Sequence, residues 1–229
     1  MRPVARSSII GAPMASDADL LQRWRDGDGA AGNQLFQRRF ATVFRFFVNK
    51  TCSLDDTEEL TRSTFVELMS ARDRIPAGAS LQAYTLGVAH GVLARYHRGL
   101  AHSDAHFDPL RSSILELGAG AESQLECIGA QRLLLVALRE IPAELQVVLE
   151  LHYVEELDPD AIAAALGLPT GAVVDRLARA REHLRVRVSE LAARAPAVPA
   201  PDATRWPDLI RSAFPARILS TAMSRDTTP

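Results

Sequence analysis

Cysteine is almost missing from this chain: there are two in 229 residues, Cys52 and Cys127, far apart and without CxxC spacing. That excludes a disulfide framework and fits unpaired thiols in a reducing cytoplasm, the expected location. Aromatic residues make up only 6%, while alanine and leucine abound, a balance that favours helices over sheets. No stretch approaches the uninterrupted apolar length a bilayer needs, so no membrane insertion is expected. Residues 1–16 carry Arg2 and Arg6, but Gly11 and Pro13 break a short apolar stretch, which makes a poor secretory signal. Charge of one sign is lacking too. With a net charge of −2, the whole-molecule field does not draw in nucleic acid, and any such surface must be local. Catalytic signatures are absent: no nucleophile–base pair, metal set or phosphate loop appears, and Gly27-Asp28-Gly29 is too short to cradle a phosphate. The expectation is a protein without enzymatic activity, cofactor or metal.

What is present points to DNA. The 47% hydrophobic content suffices for one or two small cores, and residues 141–188 have the layout of a helix-turn-helix. Ile141-Pro142 opens a helix with Leu145, Val148, Leu149 and His152 at helical spacing. Asp158-Pro159 opens a second, with Ile162, Ala163 and Leu166 as its buried stripe. Gly167 ends it, and Gly167-Leu168-Pro169 forms the turn. From Thr170 a third helix buries Val173, Leu177, Ala180, Leu184 and Val188, while Arg176, Arg179, Arg181, Arg185 and Arg187 spread over its other faces. Such a helix buries one side and meets phosphates with another. The plain alternative is a helical bundle whose arginines only solvate a face; the abrupt start of a long arginine-rich helix after a glycine turn favours DNA.

In the front half, residues 20–26 form a short helix closed by Gly27. A second, from about 30 to 50, carries Phe36, Phe40, Val43, Phe44 and Phe47 on one face. A third starts at Ser53-Leu54-Asp55-Asp56, with acidic residues in the first turn, where they suit the helix dipole. Leu60, Thr64, Phe65 and Leu68 continue its buried face, leaving Asp55, Asp56, Glu58 and Glu59 exposed. The loop at 74–79 breaks the helix and Ser80 caps the next, along which Leu81, Tyr84, Val88, Val92 and Tyr96 share a stripe.

Taken together, these pieces resemble the extracytoplasmic-function branch of the sigma-70 family over residues 20–191. The run at 56–65, D-T-E-E-L-T-R-S-T-F, stands where the family has D-A-E-D-L-V-Q-E-T-F. Residues 80–91 are similar to its S-F-R-A-W-L-x-x-I-A-R-N, and 138–142 to its L-x-x-L-P. Ala161-Ile162-Ala163 through Leu166-Gly167-Leu168 resembles E-I-A-x-x-L-G-I, and 176–181 matches R-L-x-R-A-R. The resemblance implies an all-α fold of two small helical domains joined by a flexible linker. The expected division is a disordered start at 1–16, a region 2-like domain at 17–98, a linker at 99–121, a region 4-like helix-turn-helix domain at 122–194, and a Pro-rich extension at 195–229.

It also implies function: a sigma factor that directs RNA polymerase to promoters. Asp56, Glu59, Leu60 and Phe65 would occupy the polymerase-docking surface. Tyr84, His90, Arg95 and Arg98 would serve single-strand capture at the minus-10 element, which needs stacking surface and positive charge, although Tyr84 also reads as core. The helix from Thr170 would read the minus-35 element, with Arg176, Arg179 and Arg181 on phosphates. Expected partners are core RNA polymerase, promoter DNA and an anti-sigma factor. Several positions depart from the pattern: Arg62-Ser63 for Gln-Glu, Gly91 for Asn, Arg95 for Asp, and Val174-Asp175 within Thr-Val-Lys-Ser. These keep a second reading open, a sigma-like protein that binds polymerase or an anti-sigma factor without initiating. His97, His102 and His106 have spacings that could gather a metal, although imidazoles in a polar linker are usually solvated. Beyond Pro196, Pro199, Pro201 and Pro207, the patch Trp206, Leu209, Ile210 and Phe214 reads equally as a docking helix or a loose extension.

Overall fold

The computed structural model describes residues 15–100, 129–194 and 198–213. His102, His106, Cys127, Phe214 and nearly all of the expected linker lie outside them. Every long element described is an α-helix. In the front unit, α1 (Asp17–Arg25) starts on a capping box in which Ser16 and Asp19 satisfy each other's backbone N–H. For α2 (Gly29–Val48), the Asp28 carboxylate accepts from Ala30 and Ala31, and Ser53 caps α3 (Leu54–Ser70). A 3-10 turn at Arg72–Arg74 leads to the loop before α4 (Leu81–Leu100). The apolar faces of these helices meet around a file of rings. Trp24 packs edge-on to Phe36 with centroids 5.2 Å apart, Phe36 lies 5.1 Å from Phe65, and Phe65 stacks on Phe40 at 6.3 Å.

The back unit has one helix before the helix that opens at Ile141-Pro142. Helix α5 (Ala130–Glu140) precedes α6 (Ala143–Tyr153), burying Leu133, Leu134, Leu135, Ala137 and Leu138. Asp158 caps α7 (Pro159–Leu166). Gly167 takes φ 65°, a left-handed conformation open to glycine at little cost, and ends it. The chain then bends by 106° into α8 (Thr170–Arg194), the angle of a helix-turn-helix. The expected stripe of Val173, Leu177, Ala180, Leu184 and Val188 is buried. After a 3-10 turn at Ala203–Arg205, the proline-rich extension forms α9 (Trp206–Ala213), with Pro207 in its first turn where the missing N–H is tolerated. Trp206, Ile210 and Ala213 are buried as α9 packs on α5 and α6. The docking alternative for the tail is the one the structure shows.

The two units do not stand apart. Helix α4 packs along α7, and one apolar core runs from Phe47, Leu86 and Leu93 of the front unit to Leu134, Leu149 and Ile162 of the back. The close approach is set at Gly87, in the interior of α4, where a Cβ would lie 2.4 Å from the carbonyl oxygen of Ala165. Any side chain there would push the helices apart. Among the described residues no single helix is long and apolar enough to cross a membrane.

Candidate nucleic-acid interface

The surface between the units is built on charge as well as oil. Lys50 is the only lysine in the chain, and it is 1% exposed. It follows the end of α2, donates to the Phe46 carbonyl at 2.5 Å, and is ion-paired with Glu150 of α6, itself 4% exposed. Glu150 also accepts from Asn49 at 3.3 Å and from Gln146 at 2.8 Å, and Gln146 donates to the Asn49 carbonyl at 2.9 Å. The His97 ring meets the Lys50 carbonyl at 3.0 Å. Burial pushes the Lys50 ammonium below the ordinary lysine range, against the pull of Glu150. Burial likewise lowers His97 and keeps it neutral. His97 is thus buried with its ring on the Lys50 carbonyl, and no metal-binding cluster occurs among the described residues.

Two further carboxylates tie the units together. Glu155, just after α6, accepts from Arg45 of α2 at 3.1 Å and from Gln82 of α4, which also donates to its backbone carbonyl at 3.2 Å. Glu144, at the start of α6, holds His90 of α4 at 2.8 Å and Arg176 of α8 at 3.0 Å. Burial raises the Glu144 carboxyl, but the His90 bond and the Arg176 charge outweigh it and leave the group below the ordinary range. Two residues expected to face DNA from different domains, His90 and Arg176, thus meet on one carboxylate.

The other expected DNA-facing residues are scattered. Tyr84 is half-buried and lines a cleft of about 380 Å³ with Glu67, Ser70, Ala71, Arg74, Val88 and Gly91, beside the loop between α3 and α4. Arg95 is paired with Glu67 at the edge of that cleft. Arg98 is exposed near the end of α4. Thr170 donates to Asp160 at 2.7 Å. Arg181 turns back to the Tyr153 hydroxyl at 3.0 Å. Arg179 is exposed and makes no ion pair among the described residues.

On α3, Glu59 is exposed and bonded to Arg62, while Asp56 is half-buried in a reciprocal cap with Ser53. Leu60 and Phe65 turn inward to the core. The outer face instead presents Leu54, Asp55, Val66 and Met69. The residues that organise the interface, Lys50, Glu144, Glu150 and Glu155, are absent from the sequence-derived set. A lone lysine at the end of an aromatic-rich helix, among 26 basic residues, was the available signal.

Residues 131–184 match the family described as Sigma-70, region 4. Among solved structures, CnrH in complex with the cytosolic domain of CnrY is 20% identical; the likeness covers 76% of this chain and 97% of that one, with a TM-score of 0.54. The sigma factor RpoE of Bartonella quintana, solved with the anti-sigma factor NepR, is 17% identical over 69% of this chain and 96% of that one, with a TM-score of 0.51. No curated protein matches the chain in sequence. Residues 131–184, from α5 into α8, are thus similar to a sigma-70 region 4. Over 69% of the chain the fold is similar to that of the solved RpoE structure.

Proposed function

We propose that this protein is a sigma factor of the extracytoplasmic-function type, a non-enzymatic subunit that directs core RNA polymerase to specific promoters in the cytoplasm. The observation that carries the reading is the region 4 match on a helix-turn-helix whose long second helix exposes Arg179, Arg185 and Arg187. Polymerase docks on the outer face of α3, where Asp55 and Glu59 surround Leu54, Val66 and Met69. The cleft beside Tyr84 receives an unstacked base of the minus-10 element, with the Tyr84 ring on one wall and Arg74 and Arg95 nearby. Helix α8 takes the minus-35 element.

In the closed arrangement His90 and Arg176 are spent on Glu144, so docking on polymerase must separate the domains before both DNA surfaces are free. The same observation supports a second reading, a sigma-like protein that occupies polymerase or an anti-sigma factor without initiating. Run-off transcription with purified core polymerase on the gene's own upstream DNA separates the two. Specific transcripts establish the initiator. Core binding without transcripts establishes the second reading.

A further inference from the structure

The C-terminal helix sits on the back domain, yet its Arg211 reaches the turn between α6 and α7, whose Glu155 also binds the front domain. Arg211 of α9 donates from Nε to the Tyr153 carbonyl at 3.2 Å and pairs with Glu156 at 3.0 Å. On the other side of the same turn, Glu155 is held by Arg45 and Gln82. Glu156, between these two grips, has φ 55°, the only positive φ outside glycine among the described residues. A side chain in the left-handed region costs on the order of 1 kcal/mol, and it persists only where its neighbours over-determine it. Here Arg211 fixes the Tyr153 carbonyl and the Glu156 carboxylate, and that geometry aims Glu155 at the front domain. Trp206, Ile210 and Ala213 supply the seat against α5 and α6, and Ser212 accepts from Gln131 of α5 at 2.8 Å.

We propose that α9 is an intramolecular latch: by bracing the turn between α6 and α7 it holds the two domains closed, and its release opens them. The inference deepens the sigma reading, for closure is what occupies His90 and Arg176, but the latch itself is defined without polymerase or DNA. Its amphipathic character suits the role, since eight residues with three buried side chains form a small seat that a competing surface can displace.

The chain carries its own reporter of opening. Lys50 is the sole side-chain amine and lies buried at the domain boundary, so its acylation by an N-hydroxysuccinimide acetate measures how often the boundary opens. The full chain is compared with Arg211→Ala, Glu156→Gln and a chain ended after residue 198, with Lys50 modification followed by peptide mass spectrometry. Arg211→Ala removes an exposed ion pair and a hydrogen bond to backbone, and should raise the acylation rate by roughly tenfold. Glu156→Gln should raise it less, and removal of α9 most. The increase should keep the shallow urea dependence of a partial opening, with helical content unchanged in the two point variants. Unchanged rates in Arg211→Ala and the shortened chain overturn the latch. So does an increase that appears only with the steep urea dependence of global unfolding. Because the measurement needs neither promoter nor polymerase, its failure leaves the sigma reading untouched.

Discussion

Substituting Glu150 by glutamine probes the most consequential contact between the domains. The change keeps an oxygen that accepts from Gln146 and Asn49 but removes the negative charge beside Lys50. Lys50, 1% exposed, would then be a buried cation without its counter-charge. Stranding one member of a buried pair costs about 3–5 kcal/mol, several times what an exposed ion pair supplies. In urea unfolding followed by circular dichroism this corresponds to a midpoint lowered by roughly 1 M. Lys50→Met strands Glu150 in the same way. The double change Lys50→Met with Glu150→Gln leaves no unpaired charge, and its stability should return most of the way to that of the parent. The loss in Glu150→Gln should also shrink as pH approaches the ordinary lysine range, because a neutral amine no longer needs the partner. Single variants that lose under 1 kcal/mol, or a double variant no better than the sum of the two, would show that the pair does not hold the boundary.

Other consequences follow from the same contacts. Gly87→Ala should raise intrinsic helix propensity by about 1 kcal/mol yet enlarge the protein in small-angle scattering, because the new Cβ meets the Ala165 carbonyl; an unchanged radius of gyration would mean that α4 and α7 yield. Burial lowers His97 below its ordinary 6.5, so the unfolded chain takes up the proton first: stability is full above about pH 6.5 and falls as pH drops. Glu144, depressed below 4.5, adds a second loss at lower pH, and thermal melts of His97→Gln should show only that second step. Arg179→Ala should weaken DNA binding at every sequence and flatten its salt dependence by a slope of about one, whereas Arg176→Ala should weaken binding by the free protein less, since Arg176 is already engaged by Glu144.

Helix positions and faces were largely legible in the sequence because they rest on local rules. Ser53 and Asp158 cap where the pattern places them, Gly167 ends α7, and the stripe of α8 is buried residue by residue. Helix α5 lies ahead of the helix-turn-helix pattern that starts at Ile141, although Leu133, Leu134, Ala137 and Leu138 have helical spacing of their own. The site was legible only in part. Periodicity says that Arg176 and His90 lie on polar faces, but not that faces from two domains meet. A carboxylate such as Glu144 or Glu150 near the start or end of a helix looks like ordinary solvated surface until a second unit covers it. Lys50 pairs with Glu150 and Arg45 with Glu155 across 100 and 110 residues of sequence, which no local pattern encodes.

The central claim is that this chain docks on core RNA polymerase through the outer face of α3. Co-purification of the full chain with core enzyme, set beside a variant carrying Asp55→Lys and Glu59→Lys, tests it most directly. Both residues are exposed on α3, so the variant should keep its helical content and thermal midpoint while losing core binding. Absence of core binding by the parent chain, or equal binding by parent and variant, would contradict the account.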